Sequence, residues 1–361
     1  MLVGACGAWF RLAFAGLVMC IASGVLLFSP GAEAASDAAA QTGVERRDCV
    51  VPPDIASTRP DAGGPPSRVA VGLRLLDITK ISDVNESVTV DFLVSRKWTD
   101  SRLAALAGCR VALADIWSPA LALVNSGRVF PSLPERAEVG PNGAIQTFQR
   151  YNGSLSFPHT LYEFPFDRHA VGISLVPVDG ASDQVTLAVD PEVSGRRDTG
   201  FTIPDWTIGA ATAAIVPTQI EFLDQTVDRY DFEIAAARRS QYFVVQVIVP
   251  LTLIVIMSWM VFWISPAHFG PQIGMSATSV LTLIAFHFAM QSILPPVTYM
   301  TTLGRFIFAS TVLVFVALLQ SVTTSYLVGH GKEEIAFRMD RICRWLFPGI
   351  FVVMSAFVFL T

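Results

Sequence analysis

The pattern of hydrophobic and polar positions divides the chain into two parts. Between about residue 68 and residue 239, apolar residues alternate with polar ones in short runs that turn residues separate. After Arg239, long apolar segments follow one another, and residues 240–304 contain no Asp, Glu, Lys or Arg. Alternation is typical of half-buried β-strands, whereas long apolar segments are typical of membrane-spanning helices. The pattern therefore predicts a β-rich soluble half followed by a helical membrane half.

The soluble half has several short runs with strand character. The clearest are 88–94, 171–176, 185–189, 201–208 and 230–234. Short β-branched runs between turn residues favour an antiparallel sandwich, and no helical run is long enough to connect parallel strands. We therefore predict an all-β, immunoglobulin-like sandwich over residues 67–239.

The membrane half contains four apolar segments, each of 20 or more residues: 242–264, 273–294, 306–328 and 342–361. At about 1.5 Å per residue, a helix of this length crosses a bilayer core of roughly 30 Å. We predict an all-α, four-helix transmembrane domain over residues 240–361. The connection 329–341 carries Lys332, Arg338 and Arg341 and is expected in the cytoplasm, which places the sandwich outside.

The N-terminus has the features of an export signal. Arg11 precedes an apolar run over residues 12–28, and small residues follow up to Ala35. This order predicts a cleaved signal peptide over residues 1–35; a retained membrane helix is the alternative. Residues 36–66 are expected to form a flexible lead-in. Export would place Cys49 and Cys109 in an oxidising compartment, but their spacing leaves open whether they pair.

Composition and charge narrow the class of function. Only 15% of the residues are charged, against roughly 25% in soluble domains. A net charge of −5 without a basic stripe argues against nucleic acid as a partner. The sequence offers no catalytic triad, metal-site spacing or cofactor motif, so we expect no enzyme, no metal and no cofactor. His159 and His169 are expected to be structural or titrating surface groups.

The second apolar segment differs from the others because small and hydroxyl residues crowd its first half. One stripe at helical spacing contains Gly274, Thr278, Leu281, Ala285, Phe288 and Ser292. Such a stripe suits close packing of membrane helices. It equally suits the lining of a pore, with hydroxyls at the inner end and apolar residues that exclude water above them. The stripe alone does not decide between these interpretations.

Several motifs occur in an order that resembles a known family. They are W-T-D-S-R-L at 98–103, W-S-P-A at 117–120 with Asn125 after it, L-Y-E-F-P-F-D at 161–167, Arg238-Arg239 before the first span, Pro250 within it, Leu294-Pro295 with Tyr299 after the second, and residues 344–348 opening the fourth. Together they resemble the pentameric ligand-gated ion channels, also called the Cys-loop receptor family, in a compact bacterial form. The chain is therefore expected to be a ligand-gated ion channel.

The resemblance implies an assembly and several site residues. It implies a homopentamer in the bacterial inner membrane, surrounded by lipid, with a periplasmic sandwich, a small-molecule or proton agonist, and inorganic ions passing a pore lined by the stripe. The coupling interface between sandwich and helices would comprise Phe164, Pro165, Phe166, Asp167, Arg239, Pro295 and Tyr299. A contact between Asp167 and Arg239 would tie the two halves together. The positions that match ligand-binding residues are Asn125, Val178, Asp179 and Phe222.

The chain departs from the family pattern at several positions. Phe157 and Val171 replace the two cysteines of the signature loop, so packing must hold this loop. Ala120 stands where the family usually has Asp, which removes a carboxylate and the salt bridge it would form. Val124 and Val178 replace cage aromatics, which argues against a quaternary-ammonium ligand. Trp98, Trp117 and Trp206 are expected in the core. The run 270–272 has neither the carboxylate of cation-selective relatives nor the Pro-Ala-Arg run of anion-selective ones. The residues of the pore stripe resemble those of anion-selective relatives slightly more.

An alternative function remains open at this stage. A four-span sensor could bind a ligand outside and signal to a partner without conducting ions. Such a sensor needs an output domain in the cytoplasm, and the connection 329–341 leaves no room for one.

Overall fold

The computed structural model describes residues 47–49, 51–53, 55–60, 62–178, 184–198, 200–220, 225–291 and 296–360. The predicted signal peptide, together with Asp179, Phe222, Ser292 and Pro295, lies outside these described residues.

The soluble half is a two-sheet β-sandwich, as the alternating pattern predicts. Its strands are β1 (Arg47–Asp48), β2 (Ser67–Ser82), β3 (Ser87–Thr99), β4 (Cys109–Ala112), β5 (Leu121–Leu123), β6 (Ser126–Pro131), β7 (Arg136–Val139), β8 (Ala144–Ser156), β9 (Arg168–Pro177), β10 (Val185–Val189), β11 (Gly195–Arg196), β12 (Trp206–Ile220) and β13 (Gln225–Arg238). The larger sheet has the order β1-β4-β7-β8-β3-β2-β10, with β6 beside β8 and β11 beside β2, and the smaller has the order β12-β13-β9-β5. Most pairs are antiparallel, but β1 with β4 and both β10 and β11 with β2 pair in parallel.

The core of the sandwich lies between the two sheets, where alternate side chains of each strand meet. In β3, Val88, Val90 and Phe92 are almost fully buried. In β13, Tyr230 and Phe232 are buried in the same cluster. Side chains alternate between the two faces of a strand, so one face of each sheet supplies this apolar layer.

The segment expected to be a flexible lead-in is packed where the structure describes it. Val51 and Ile55 are buried in the sandwich core. Cys49 and Cys109 form a disulfide, with their Cα atoms 5.6 Å apart. The sequence left this pairing open, and the structure contains it. The expectation of a flexible segment was wrong for these residues because a covalent bond and two apolar side chains attach them to the sandwich.

Among the described residues, the membrane half has four long helices: α1 (Gln241–Trp263), α2 (Phe269–Met290), α3 (Thr302–Gly329) and α4 (Glu333–Leu360). All four are long and apolar enough to cross a membrane. A π-helical turn, Val244–Ile248, interrupts α1 before Pro250.

Helix α4 begins earlier than the hydropathy pattern predicts. It starts at Glu333 rather than at residue 342, so most of the predicted connection 329–341 is helical. Glu333 and Glu334 occupy its first turn, where carboxylates interact favourably with the helix dipole. Asp340 turns inward and is fully buried. Hydropathy detects the apolar part of a helix, and this polar first part is therefore missed.

Candidate functional site

One face of α2 points away from the other three helices. Gly274, Thr278, Leu281, Ala285 and Phe288 all lie on this exposed face. Leu281 and Phe288 each have 68% of their surface exposed, although both are large apolar residues. The five described residues of the predicted stripe are thus brought together on one face, and no other described residue covers it.

The opposite face of α2 packs against its neighbours through polar contacts. Gln272 Nε2 donates a hydrogen bond to Asp340 Oδ2 of α4 at 3.0 Å. Ser276 Oγ lies 2.9 Å from Ser321 Oγ of α3. His287 Nε2 lies 2.8 Å from Thr311 Oγ1, also of α3. Helix packing through small residues therefore occurs on this face, through Ser276, and not on the stripe.

The exposed stripe has a polar part and an apolar part. Thr278 Oγ1 donates to Gly274 O at 2.8 Å, and Thr282 Oγ1 donates to Thr278 O at 2.9 Å. Because each hydroxyl gives its proton to its own helix, its oxygen lone pairs remain open to the outside. Leu281, Ala285 and Phe288 continue the face toward the C-terminal end of α2 without a polar group.

The loop between β8 and β9, residues 157–167, contacts the helices closely. Its Phe164 is buried within the helix core, and its ring centroid lies 4.7 Å from that of Phe243 in α1. Leu303 N donates to Phe164 O at 3.1 Å, and Thr302 N donates to Tyr162 O at 2.8 Å. The first turn of α3 is therefore held directly by the backbone of this loop.

Other predicted coupling residues lie at the same junction. Tyr299 Oη accepts a hydrogen bond from Leu161 N at 2.7 Å. Phe166 approaches Phe359 of α4 with ring centroids 5.9 Å apart, and Pro165 is buried between its neighbours. The structure thus brings Phe164, Pro165, Phe166 and Tyr299 together.

Arg238, at the end of β13, is the central cation of the junction. Its Nε lies 2.8 Å from Asp167 Oδ1, and its Nη2 lies 3.1 Å from Asp167 Oδ2. The same Nη2 lies 2.8 Å from Asp83 Oδ1, in the turn between β2 and β3. The guanidinium also stacks over the ring of Trp206 at 4.3 Å. One buried arginine therefore joins two carboxylates from distant parts of the sandwich.

Two histidines complete the cluster. His159 Nε2 lies 3.1 Å from Asp83 Oδ1, and His169 Nε2 lies 2.8 Å from Asp167 Oδ2. The side chains are 2% and 12% exposed, so of the two expected alternatives the structure supports structural groups and not surface groups. The ring of Phe157 stacks on His159 at 4.6 Å and shields it from solvent. We call Asp83, His159, Asp167, His169 and Arg238 the junction cluster.

The contacts within the junction cluster shift several pKa values. Burial acts to raise the pKa of Asp167, but hydrogen bonds from His169 and Arg238 and the charge of Arg238 outweigh it and lower the pKa to about 2. The pKa of Asp83 is lowered in the same way, against burial, by His159 and Arg238. Burial acts to lower the pKa of His159, yet its bonds to Asp83 and Phe157 O raise it. The cluster therefore stabilises charged carboxylates and a protonated imidazole.

The predicted contact between Asp167 and Arg239 was wrong. Arg239 Nε instead lies 3.3 Å from Thr207 Oγ1, on the exposed side. Consecutive side chains of a strand point to opposite faces, so only one of the two arginines can reach Asp167. Alternate residues of β13 from Tyr230 to Ala236 are buried, and this alternation already assigns Arg238 to the inner side. Asp83 was missed because no local pattern links it to Arg238.

Packing holds the signature loop, as its missing cysteines predict. Phe157 and Val171, at the two cysteine positions, are 5% and 1% exposed. The prediction of core tryptophans is also confirmed. Trp98 and Trp206 are buried, and Trp117 packs edge-on against Trp98 with centroids 6.4 Å apart.

The described candidates for ligand binding are not organised as a ligand site within one chain. Asn125 Nδ2 donates to Gly172 O at 2.9 Å, and its Oδ1 accepts from Ser174 N at 3.4 Å, so its amide attaches the segment between β5 and β6 to β9. Val178 is 60% exposed at the end of β9. Among the described residues, no group of three or more His, Cys, Asp or Glu side chains is arranged to hold a metal ion.

Comparisons with known proteins match both halves of the chain to domains of one family. Residues 56–240 match the family model described as the neurotransmitter-gated ion-channel ligand binding domain, and residues 247–336 match that of the neurotransmitter-gated ion-channel transmembrane region. The chain is 26% identical over 315 residues to a proton-gated ion channel of Gloeobacter violaceus, which covers 85% of this chain and 87% of that protein. It is 24% identical over 301 residues to gamma-aminobutyric acid receptor subunit beta-4 of Gallus gallus, which covers 79% of this chain and 61% of that subunit.

Proposed function

The chain belongs to the neurotransmitter-gated ion-channel family and is a ligand-gated ion channel; on this premise we propose that five identical chains surround a central pore lined by α2. The lining residues are Gly274, Thr278, Leu281, Ala285, Phe288 and Ser292. The effector acts on the sandwich, and the pore then conducts inorganic ions passively.

The observation that carries this proposal is the exposed face of α2. Gln272, Ser276 and Ser279 are buried on the packed face of α2, whereas Leu281 and Phe288 remain uncovered. One α2 helix cannot enclose a channel, so a pore lined by α2 needs several copies related by rotational symmetry. Five is the number that the resemblance to pentameric channels implies.

The gate lies at the apolar part of the stripe. When the helices are close, rings of Leu281, Ala285 and Phe288 exclude water, and an ion would lose hydration without a polar replacement. The lone pairs of Thr278 keep the opposite end of the pore hydrated. Opening would separate the apolar rings until water enters.

The junction cluster and the loop 157–167 couple the sandwich to the membrane helices. Arg238 holds Asp83 and Asp167, and the loop that carries Asp167 binds the first turn of α3. A displacement of the sandwich would thus pull on Thr302 and Leu303 and, through α3, on the packed face of α2. A substitution that breaks the junction cluster should leave effector binding intact but reduce opening of the pore.

Protons are the effector that a specific observation favours. The pKa of His159 is raised, so the arrangement in the structure binds a proton more tightly than an exposed imidazole does. The protonated His159 therefore stabilises this arrangement of the junction cluster. This stabilisation is fully present below the ordinary histidine pKa of about 6.5 and is lost as the pH rises through the raised pKa. A relative of this chain is a proton-gated ion channel. We therefore expect acid to evoke current and His159→Gln to shift the pH of half-maximal current.

The protein resides in the bacterial inner membrane with its sandwich in the periplasm. The signal-like N-terminus supports export, and Lys332 in the connection between α3 and α4 favours a cytoplasmic position for that connection. The four-span sensor is not favoured, since the family consists of channels and only residues 330–332 separate α3 from α4.

Cysteine substitution along α2, with currents recorded from reconstituted protein, tests the pore. Cysteines at Thr278, Leu281, Ala285 and Phe288 should react with a water-borne thiol reagent and lose current. Matched cysteines at Ser276, Ser279 and Leu283, which lie on the packed face, should not react. Equal labelling on both faces, or detergent-solubilised monomers by native mass, would contradict the proposal.

A further inference from the structure

A polar contact joins α2 and α4 inside the helix bundle. Gln272, in the first turn of α2, donates a hydrogen bond from Nε2 to Oδ2 of Asp340 at 3.0 Å. Both residues are fully buried. Asp340 lies about two turns into α4, counted from the end that we place in the cytoplasm. The contact is therefore separate from the exposed stripe of α2 and from the junction cluster.

The other oxygen atom of each side chain lacks a partner. Asp340 Oδ1 and Gln272 Oε1 are buried, and neither accepts a hydrogen bond from any described residue. Such atoms are normally paired, because a buried acceptor without a donor is costly. A carboxyl group can meet an amide through two hydrogen bonds, but the second bond requires a hydrogen on the carboxyl group. A single proton on Oδ1 would satisfy both atoms.

Asp340 also lacks a paired cation among the described residues. Arg344, one turn further along α4, attracts it, but the Nε of this arginine donates instead to a backbone carbonyl at the end of α1, at 2.7 Å. The side chains that face Asp340 from α2 and α3 are Gln272 and Gln320, which are neutral, and the other titratable group beside it is the Cys343 thiol. A buried carboxylate without a paired cation is costly, whereas a protonated carboxyl group carries no charge that burial must desolvate.

The amide of Gln320 indicates the same protonation state. It faces Asp340 from α3, yet its Nε2 does not complete a hydrogen bond to any described residue. An ionised carboxylate oxygen is a strong acceptor and would draw this N–H group into a short hydrogen bond. A hydroxyl oxygen attracts the N–H group less, and its own hydrogen is free to point toward Gln272. The incomplete bond of Gln320 is thus the arrangement expected beside a protonated carboxyl group.

We propose that Asp340 binds a proton on Oδ1 and donates it to Gln272 Oε1, so that the carboxyl group and the amide form a closed pair of two hydrogen bonds. The proton is taken from the cytoplasmic water and returns to it, and the O–H bond is the only bond that forms or breaks. This proton site lies at the opposite end of the helix bundle from the sandwich, and it is independent of His159.

Release of the proton would weaken the inner attachment of α2. Ionised Asp340 offers only acceptors, so its Oδ1 and Gln272 Oε1 would repel each other. Gln272 lies two residues before Gly274, the innermost residue of the stripe. The current should therefore depend on the cytoplasmic pH. This consequence rests on the proposed pore, whereas the proton site itself does not.

Infrared spectra of the full-length protein in lipid vesicles test the site without requiring a current. Above about pH 6 an ordinary aspartate or glutamate is ionised, and it gives no carbonyl band of a protonated carboxyl group. At pH values just above this limit, we expect such a band, which Asp340→Asn removes. Asp115→Asn, which alters an exposed carboxylate, should leave the band unchanged. Identical spectra of Asp340→Asn and the unsubstituted protein in this region would overturn the proposal, since they would mean that water or a metal cation holds an ionised Asp340.

A second pair of variants tests the partner of the proton. Gln272→Leu should keep the band and move it to higher frequency, because the carboxyl group loses both hydrogen bonds to the amide. Gln320→Leu is the matched control and should move the band less. Equal shifts in the two variants would overturn the pairing with Gln272.

Excised membrane patches test the consequence for the pore. The current of the unsubstituted channel should change when the cytoplasmic side is made alkaline. The current of Asp340→Asn should not change, because its Nδ2 is a permanent donor in the place of the carboxyl O–H group. The same dependence on cytoplasmic pH in both channels would overturn the effect on the pore. Absence of any current, together with the infrared band of Asp340, would contradict the proposed channel function and not the proton site.

Discussion

Arg238 and Asp167 form a two-point ion pair at the junction between the sandwich and the membrane helices, with nitrogen–oxygen distances of 2.8 and 3.1 Å. Their side chains are only 7% and 2% exposed. A buried ion pair of this kind is weak evidence for stability as such, but the loss of one partner leaves the other charge uncompensated. The pair therefore makes the junction sensitive to single substitutions.

Arg238→Gln should reduce agonist-evoked current strongly and destabilise the protein by about 3–5 kcal/mol, since Asp167 and Asp83 lose their shared cation. The adjacent Arg239→Gln is the matched control and should change stability by no more than about 0.5 kcal/mol, because the Arg239 side chain is exposed and lies beside the exposed Thr207. The current amplitude per assembled channel and the thermal unfolding of each variant measure the two effects. Equal effects of the two substitutions would contradict the assignment.

Asp167 makes stability depend on acid pH. Its pKa is about 2 in the folded protein against 3.8 for the free side chain. A lowered pKa contributes stability that is present above the unfolded value and is lost as the pH falls through the folded value, about 2 kcal/mol between roughly pH 4 and pH 2. The free energy of unfolding, measured over this pH range, should depend less on pH in Asp167→Asn than in the unsubstituted protein. An unchanged slope in the variant would show that other carboxylates dominate.

Leu281→Ser should admit water between the pore helices and ease opening, which gives higher agonist sensitivity or current without agonist. Leu319→Ser on α3 is a matched control, since Leu319 is equally exposed at 65% but lies on a different helix. Concentration–response curves of the two variants show whether the substitution eases opening only on α2. A Leu281→Ser channel that assembles poorly but gates normally would favour a packing role for the stripe.

Replacing Cys49 and Cys109 by serine should lower the stability of the sandwich by about 2–4 kcal/mol, because the disulfide closes a loop of 60 residues. Cys343→Ser is the control, since Cys343 is free. The unfolding temperatures of the double and the control variant, with and without reductant, measure the difference. If reductant lowers the stability of the unsubstituted protein but not of the double variant, the disulfide is responsible.

The sequence by itself determined the order and class of the two halves. Alternation in β3 and β13 identifies strands, and unbroken apolar segments identify helices, because each is a local period set by backbone geometry. The α2 stripe follows from the same reasoning, since residues three and four apart share a helix face. The alternation of β13 also places Arg238, and not Arg239, on the inner face.

Only the tertiary structure decided which distant residues meet. Arg238 contacts Asp167 and Asp83 across 71 and 155 residues of sequence, and these contacts depend on strand register and on the packing of the two sheets. The pairing of Cys49 with Cys109 and the burial of His159 depend on the same long-range geometry. A local period fixes which face a side chain occupies, whereas its partner is fixed by how separate elements pack together.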